Sequence, residues 1–250
     1  MLVILSPSKT QSFSAYCAKI STNPRFKNKT NEIVTVLKNL SQDELTGFMS
    51  VSQKLGAESY KNIQQFQHNP SVETTKQAIF AYTGEVFSKI NAQFFNDHEL
   101  NFCQSHFRIL SGLYGILRPF DLIQPYRLEM ASKLNIRNTN TLTQFWKNDI
   151  TDSLNKDEMN VIINLASKEY VKPIRLDQLK AKFISIQFKE KKNDELKVIG
   201  IFAKQARGRM IHYMVKNHLY NPEQLKDFKT DGYFFNPSIS SEYNWVFTRG

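Results

Sequence analysis

Uninterrupted and alternating runs of apolar residues predict the strands of this chain. Leu2–Leu5 is uniformly apolar and stops at a serine and a proline, which is typical of a short, fully buried strand. Residues 161–165 have the same form. Residues 183–188 alternate in hydropathy, pass through a charged turn and are followed by apolar residues at 196–202, which predicts a β-hairpin. A last strand is predicted at residues 243–248.

Apolar positions three and four residues apart predict helices over much of the remaining chain. Ser41 and Glu44 have the spacing of a capping box, so a helix is expected to begin directly after Ser41. Asn221 ahead of Pro222 predicts another helix start. Residues 11–31 are polar and predict an irregular surface segment. Further helices are predicted over residues 32–40, 72–81, 84–95, 142–154 and 203–219.

Strands and helices that do not alternate strictly predict an α+β fold, with a mixed sheet flanked by helices and one domain over residues 1–250. In the N-terminal third, the helix after the capping box is followed by a break at residues 52–57 and by a helix with Tyr60, Ile63 and Phe66 on one face. This pair fits a helix-hairpin-helix element, whose backbone amides bind phosphate, or an ordinary antiparallel helix pair. The break lacks the paired glycines of a DNA-binding hairpin.

Composition narrows the class of protein. The 250 residues include 33 Lys and Arg against 23 Asp and Glu, a net charge of +10 that attracts polyanions but also keeps a protein in solution. No run approaches the ~18 apolar residues of a membrane span, and the N-terminus lacks the basic flank of a signal peptide. We therefore expect a cytoplasmic protein without membrane contact. Cys17 and Cys103 lack metal-like spacing and are interpreted as bystanders in a reducing compartment.

The segment at residues 110–130 contains the most distinctive combination of residue types in the chain. It places two glycines, two prolines and several charged side chains in an otherwise apolar run. Prolines beside Arg118, Arg127 and Glu129 prevent a regular helix. Because the apolar neighbours predict partial burial, these charges either pair with one another to hold a loop or converge on an anion.

Polar and basic residues also follow the predicted strands, where binding sites gather in sheets flanked by helices. The first strand is followed by Ser6, Ser8, Lys9 and Thr10, the second by Ser167, Lys168 and Glu169, and the hairpin by Lys204, Arg207 and Arg209. Gly208 within a helix costs about 1 kcal/mol relative to alanine, which indicates close approach of a ligand or packing against another helix.

Metal and nucleotide cofactors find little support in the sequence. The five histidines are scattered, and His212 and His218 are spaced so that they point in different directions on a helix. Lys9 and Thr10 end a segment that lacks the glycines of a phosphate loop, so a Walker-type site is not expected. We expect no metal site and no cofactor.

The basic positions together predict one positively charged cleft. Glu129 and Glu169 would orient its arginines, and the rings of Tyr126 and Tyr114 would stack on a base or sugar. The residues predicted to contact nucleic acid are Lys9, Thr10, Lys54, Arg118, Tyr126, Arg127, Lys204, Arg207 and Arg209. If the cleft is catalytic, the candidates for acid–base chemistry are Lys9, Tyr126 and Glu129.

Ordered blocks of sequence resemble the YaaA family of bacterial peroxide-stress-resistance proteins. They lie at residues 1–10, 78–87, 110–130, 161–170, 202–208, 232–235 and 245–249, so the resemblance extends over the whole chain. It implies a cytoplasmic role in limiting oxidative damage during peroxide stress, linked to lower unincorporated iron. It also implies a helix-hairpin-helix element and binding to distorted or branched DNA through a positive cleft. Lys168 departs from the family, which usually has an acid there, and this weakens any carboxylate pair for a metal.

Three functions remain open from the sequence. The first is a DNA-binding stress protein, and the second is an enzyme acting on nucleic acid or a phosphorylated small molecule in the same cleft. The third is an interaction protein whose basic surface meets an acidic partner. The residues identify no particular small-molecule ligand, DNA structure or oligomeric state.

Overall fold

The structure, a computed structural model, describes residues 1–14, 20–157, 159–193 and 195–250. Its strands are β1 (Leu2–Leu5), β2 (Lys76–Gln77), β3 (Phe107–Ser111), β4 (Gly115–Leu117), β5 (Leu122–Ile123), β6 (Val161–Asn164), β7 (Lys182–Lys192), β8 (Glu195–Lys197), β9 (Phe234–Phe235) and β10 (Asn244–Arg249). Its helices are α1 (Lys27–Lys38), α2 (Gln42–Met49), α3 (Gln53–Gln65), α4 (Ala78–Ala81), α5 (Glu85–Ile90), α6 (Asp97–His106), α7 (Leu142–Lys156), α8 (Lys168–Val171) and α9 (Gly200–Lys216).

A mixed sheet with flanking helices organises the described part of the chain, as the sequence predicts. Its strand order is β4-β3-β1-β6-β7-β10-β9, with β8 paired to the end of β7. The five strands from β3 to β10 in this order run parallel, while β4, β8 and β9 are antiparallel to their neighbours. The chain passes from β1 to β3 on one side and later to β6 on the other. The direction in which successive strands are added to the sheet, its winding, therefore reverses between β1 and β6.

The uniformly apolar strands lie at the centre of this sheet. Every residue of β1 is buried, which is expected of a parallel strand covered on both faces. β6 is buried over Ile162, Ile163 and Asn164. The predictions of both strands, of the hairpin formed by β7 and β8, and of the last strand are confirmed.

Several predicted elements are wrong in part, and each error has a local cause. Residues 72–81 form a 3-10 turn, β2 and α4 instead of one helix, because Lys76 and Gln77 pair with β5. The predicted irregular segment ends early, since α1 begins at Lys27; residues 15–19 of it lie outside the described residues. The return strand of the hairpin is short, and α9 already begins at Gly200.

The two helices proposed as a hairpin are α2 and α3. The predicted capping box is confirmed: Ser41 Oγ accepts from the Glu44 amide, and the Glu44 carboxylate accepts from the Ser41 amide. The expected break is wrong, because α3 starts at Gln53 and the connection is only residues 50–52. The helices approach closely, since a Cβ on Gly56 would lie 1.9 Å from Thr46 Oγ1. This is a packed helix pair, and a DNA-binding hairpin is not confirmed.

Candidate functional site

The reversal of winding between β1 and β6 marks the place where open sheets bind ligands, beyond the carboxyl ends of the strands. Ser6 follows β1 and Ser167 lies just beyond the end of β6. The Ser167 amide donates to Ser6 Oγ at 2.8 Å, and the two hydroxyls lie 3.3 Å apart. We call the edge of the sheet at Ser6, Ser8 and Ser167 the strand-end crevice.

The segment after β1 is held in a fixed course along this edge. The Ser12 amide donates to the Ala81 carbonyl and the Thr83 amide to the Thr10 carbonyl. Gln11 Oε1 accepts from the Tyr126 amide at 3.1 Å. These bonds join the loop after β1 to the two segments that precede α5 and follow β5, and they fix the backbone on either side of Lys9.

Lys9 meets Arg127 and Glu129 at this edge. Lys9 Nζ lies 2.6 Å from Glu129 Oε1, and Arg127 Nη2 lies 3.8 Å from the same oxygen. The Lys9 side chain is 62% exposed and that of Glu129 is 32% exposed. Gly112, directly after β3, makes the arrangement possible, because a Cβ there would lie 2.6 Å from the Leu128 carbonyl oxygen.

A pocket of about 280 Å³ opens beside this group. One wall is α3, and the opposite wall is the loop after β1 together with the segment at residues 125–127. The lining residues are Lys9, Gln11, Phe13, Leu55, Glu58, Ser59, Asn62, Pro125, Tyr126 and Arg127. Lys54 is exposed at the start of α3, next to the lining residue Leu55. The pocket is polar, with two cations, and one carboxylate, Glu58, on its wall.

Tyr126 belongs to a buried hydroxyl network beneath the pocket. Its hydroxyl lies 2.6 Å from the hydroxyl of Tyr82 and 2.7 Å from Ser111 Oγ. Burial raises the pKa of Tyr126 to about 12, so the phenol is neutral at physiological pH. The ring packs edge-on against Tyr114, which is also buried. The prediction that Tyr126 and Tyr114 stack on a base is therefore wrong.

Helix α9 is anchored to the same edge through α5. The Gly84 amide, at the start of α5, donates to Ser8 Oγ at 2.9 Å. Gln205 Nε2 donates to Glu85 Oε2 at 2.9 Å, and a Cβ on Gly208 would lie 2.2 Å from the Val86 carbonyl oxygen. Gly208 thus serves packing between helices, which decides between the two interpretations of this glycine.

Arg207 lies on this anchored turn of α9, between Gln205 and Gly208. Its Nε is buried, and in the described part of the chain the guanidinium has neither a hydrogen bond nor an ion pair. Burial lowers its pKa from the ordinary arginine value.

Arg118 and Arg209 pair with carboxylates outside this group. Arg118 Nη2 lies 2.9 Å from Asp121 Oδ1 and donates to the Asn23 carbonyl. Arg209 faces Asp231 at 3.5 Å, and Lys204 is exposed. Thr10 Oγ1 lies 3.0 Å from Ser8 Oγ. Of the predicted cations, Lys9 and Arg127 meet at Glu129, while Arg207 lies on α9.

Glu169 has a different role from the one predicted. Its Oε1 accepts from the Ala131 amide at 3.0 Å and so holds the loop that follows Glu129, rather than orienting an arginine. Tyr82 and Ser111, which anchor Tyr126, were not predicted as site residues from the sequence. Both lie inside blocks that carry the family resemblance, which is the sequence signal that could have identified them.

Metal and thiol chemistry find no support within the described ranges. No group of three or more His, Cys, Asp or Glu there has a geometry that could hold a metal ion. Cys103 is buried, and burial raises the pKa of its thiol far above the ordinary value, which disfavours the reactive thiolate. Cys17 lies outside the described residues. None of the described helices has the length and hydropathy to cross a membrane.

The fold and site define a mixed-sheet protein with a polar, partly cationic crevice at the carboxyl ends of its central strands. The family model of the peroxide stress protein YaaA matches residues 1–239, and the chain belongs to that family. It is 43% identical to a UPF0246 protein of Acaryochloris marina and 42% identical to one of Rickettsia felis, over the full length of both chains. A UPF0246 protein of Teredinibacter turnerae is 39% identical over all of this chain and 99% of its own.

Proposed function

We propose that this peroxide-stress protein acts in the cytoplasm by binding DNA at the strand-end crevice and the pocket beside it, selecting structure rather than sequence. By covering DNA it limits iron-dependent oxidative damage. The observation that carries the proposal is the meeting of Lys9 and Arg127, which are distant in sequence, at the point where the winding of the sheet reverses. The net charge of +10 supports it by attracting polyanions.

Glu129 does not prevent Lys9 from binding a phosphate. In the Lys9–Glu129 pair Lys9 is largely exposed and Glu129 partly so, and solvent-accessible ion pairs contribute only about 0–1 kcal/mol. Lys9 can therefore exchange the carboxylate for a DNA phosphate at small cost. Arg127 is held at the longer distance of 3.8 Å and has the planar fork that suits phosphate. Lys54 and Lys204, both exposed, extend the cationic surface at the start of α3 and along α9.

The connection to iron follows from counterion chemistry. DNA carries a condensed layer of cations, and a protein that neutralises phosphates releases them. Ferrous ions associated with the covered phosphates would be released with the other cations. Peroxide would then generate fewer radicals within reach of that stretch of DNA, without any iron site on the protein.

DNA binding is tested by the salt dependence of affinity, measured by fluorescence anisotropy with labelled duplex and four-way-junction DNA. If six to ten phosphates are contacted, affinity should fall by about 10³-fold or more between 50 and 200 mM salt. The double variant Lys9→Gln/Arg127→Gln should also reduce the log–log salt slope by about two. Lys192→Gln/Lys197→Gln on the β7–β8 hairpin removes the same charge and should leave the slope unchanged.

A flat salt dependence, or equal losses in both double variants, would refute the proposal.

An enzyme acting on nucleic acid or a phosphorylated small molecule is the second candidate, because Glu129 touches a lysine and an arginine beside a pocket. Cleavage of the same DNA, abolished in Glu129→Gln while binding persists, would favour that candidate.

A further inference from the structure

Arg207 is exceptional among the arginines of this protein. Every other arginine has a carboxylate within 4 Å: Arg25, Arg108, Arg118, Arg127, Arg137, Arg175, Arg209 and Arg249. Arg207 has none among the described residues, and its Nε is buried without any acceptor. An unpaired charge that is buried in this way destabilises a folded protein. An anion that binds to Arg207 would explain why the residue lacks a partner within the chain.

The guanidinium is nevertheless open at one end. Its Nε is buried, whereas its two terminal nitrogens are neither bonded nor fully buried. The side chain is therefore enclosed at its base and presents an unused pair of donors to solvent. This is the geometry of a recessed binding group rather than of a structural pair.

Helix geometry places Arg207 on the side of α9 between α5 and the sheet. Gly208 faces α5, while Ala203 and Met210 are buried beneath α9, which packs on β7. At about 100° per residue, Arg207 lies between these two directions. Its turn of α9 is level with the first turn of α5, whose preceding amide donates to Ser8 Oγ. The turn of α9 that carries Arg207 is thus linked through α5 to the loop that carries Ser8.

The recessed position selects the class of ligand. A guanidinium fork binds phosphate through two parallel hydrogen bonds, and serine hydroxyls add neutral donors. An internal phosphodiester of a duplex is flanked by backbone on both sides, so it can bind in an open groove but cannot enter a narrow recess. A phosphate monoester at the end of a strand, or on a small molecule, has free oxygens and can enter.

We infer that Arg207 anchors a recessed site for a phosphate monoester on the side of α9 that packs beside α5, whose first turn is tied to Ser8 of the loop after β1. On DNA, where this inference rests on the proposed function, the ligand is the terminal phosphate of a broken or nicked strand. Lys9 and Arg127 then contact the neighbouring backbone. Oxidative strand breakage leaves such phosphate ends, which fits a family of peroxide stress proteins.

The site itself is tested without DNA, using inorganic phosphate and the full chain. At ten times its dissociation constant, phosphate should raise the unfolding temperature of the wild type by about 3–6 °C. Arg207→Met should unfold at the same temperature as the wild type or a higher one, because it removes an unpaired buried charge. It should also lose phosphate affinity by about 10- to 100-fold in calorimetric titration. Arg175→Met, which breaks a surface pair with Asp177, should bind phosphate normally.

An Arg207→Met protein that is destabilised but still binds phosphate would overturn the inference, and so would a wild type that phosphate does not stabilise. Nicked DNA with a 5′-phosphate or a 5′-hydroxyl then separates the two sources of the ligand. Tighter binding of the phosphorylated nick in the wild type alone assigns the site to DNA ends. If the protein binds phosphate but not DNA, the proposed DNA-binding function is refuted and the Arg207 phosphate site is supported. If it binds DNA with a steep salt dependence but phosphate has no effect, DNA binding is supported and the Arg207 site is refuted.

Discussion

Replacing Asp157 with alanine should lower the free energy of unfolding by about 3–5 kcal/mol. Asp157 accepts from Arg108 at 2.8 Å and from Arg25 at 2.6 Å, and the side chains of Asp157 and Arg108 are only 7% and 6% exposed. Removing the carboxylate leaves the Arg108 guanidinium buried without its counter-charge. Urea unfolding followed by circular dichroism measures the change.

The control for this variant is Asp177→Ala. Asp177 also pairs with an arginine, Arg175, but its side chain is 71% exposed, and such pairs contribute about 0–1 kcal/mol. A loss of less than 1 kcal/mol in Asp157→Ala would show that Arg108 finds solvent or another acceptor, and would contradict the buried pairing.

The same carboxylate gives stability a defined dependence on pH. Burial alone would raise the pKa of Asp157, but its hydrogen bonds and charge interactions with Arg108 and Arg25 outweigh burial and lower it. Because the folded-state pKa lies below the unfolded one, the contribution is fully present above the ordinary aspartate pKa of about 3.9. It disappears as pH falls through the folded-state pKa. Asp157→Ala should therefore lose less stability relative to wild type in acid than at pH 7.

Gly208→Ala should destabilise the protein by about 1–3 kcal/mol, although alanine is the better helix former. The added methyl would meet the Val86 carbonyl oxygen at 2.2 Å and Lys89 Cβ at 2.7 Å, so α5 and α9 would have to separate. Gly47→Ala in α2 is the matched control, because nothing lies within 4 Å of its new Cβ. It should stabilise the protein by up to about 1 kcal/mol.

These two glycines give opposite predicted signs, and chemical denaturation of both variants checks them together. If Gly208→Ala also gained stability, the close approach of α5 and α9 would be wrong. The position of Arg207 beside α5 would then lose its support as well.

The sequence predicted those elements whose signal is local. The uniformly apolar β1 and β6 and the capping box at Ser41 need no information from distant residues. It missed β3, where Arg108 interrupts an apolar run and is accommodated only because Asp157 approaches from the end of α7. It also misjudged Lys76 and Gln77, whose strand conformation depends on the partner β5.

In the candidate site, too, the features with a local sequence signal were predicted and those that depend on distant residues were not. The charges beside Pro119 and Pro125 indicated ion pairing or convergence, and Lys9, Arg127 and Glu129 do meet. The burial of Tyr126 depends on Tyr82, which is far away in sequence. The lack of a carboxylate partner for Arg207 within the described ranges depends on where the carboxylates of distant segments are placed. Neither property can be read from spacing.

Hydrogen–deuterium exchange with and without DNA shows whether DNA binds at the strand-end crevice, because it locates the bound surface on the folded chain. If it does, DNA should protect residues 6–13, 125–131 and 204–208, which carry Lys9, Arg127 and Arg207. Protection confined to the lysine-rich β7–β8 hairpin, with these three segments unchanged, would contradict it.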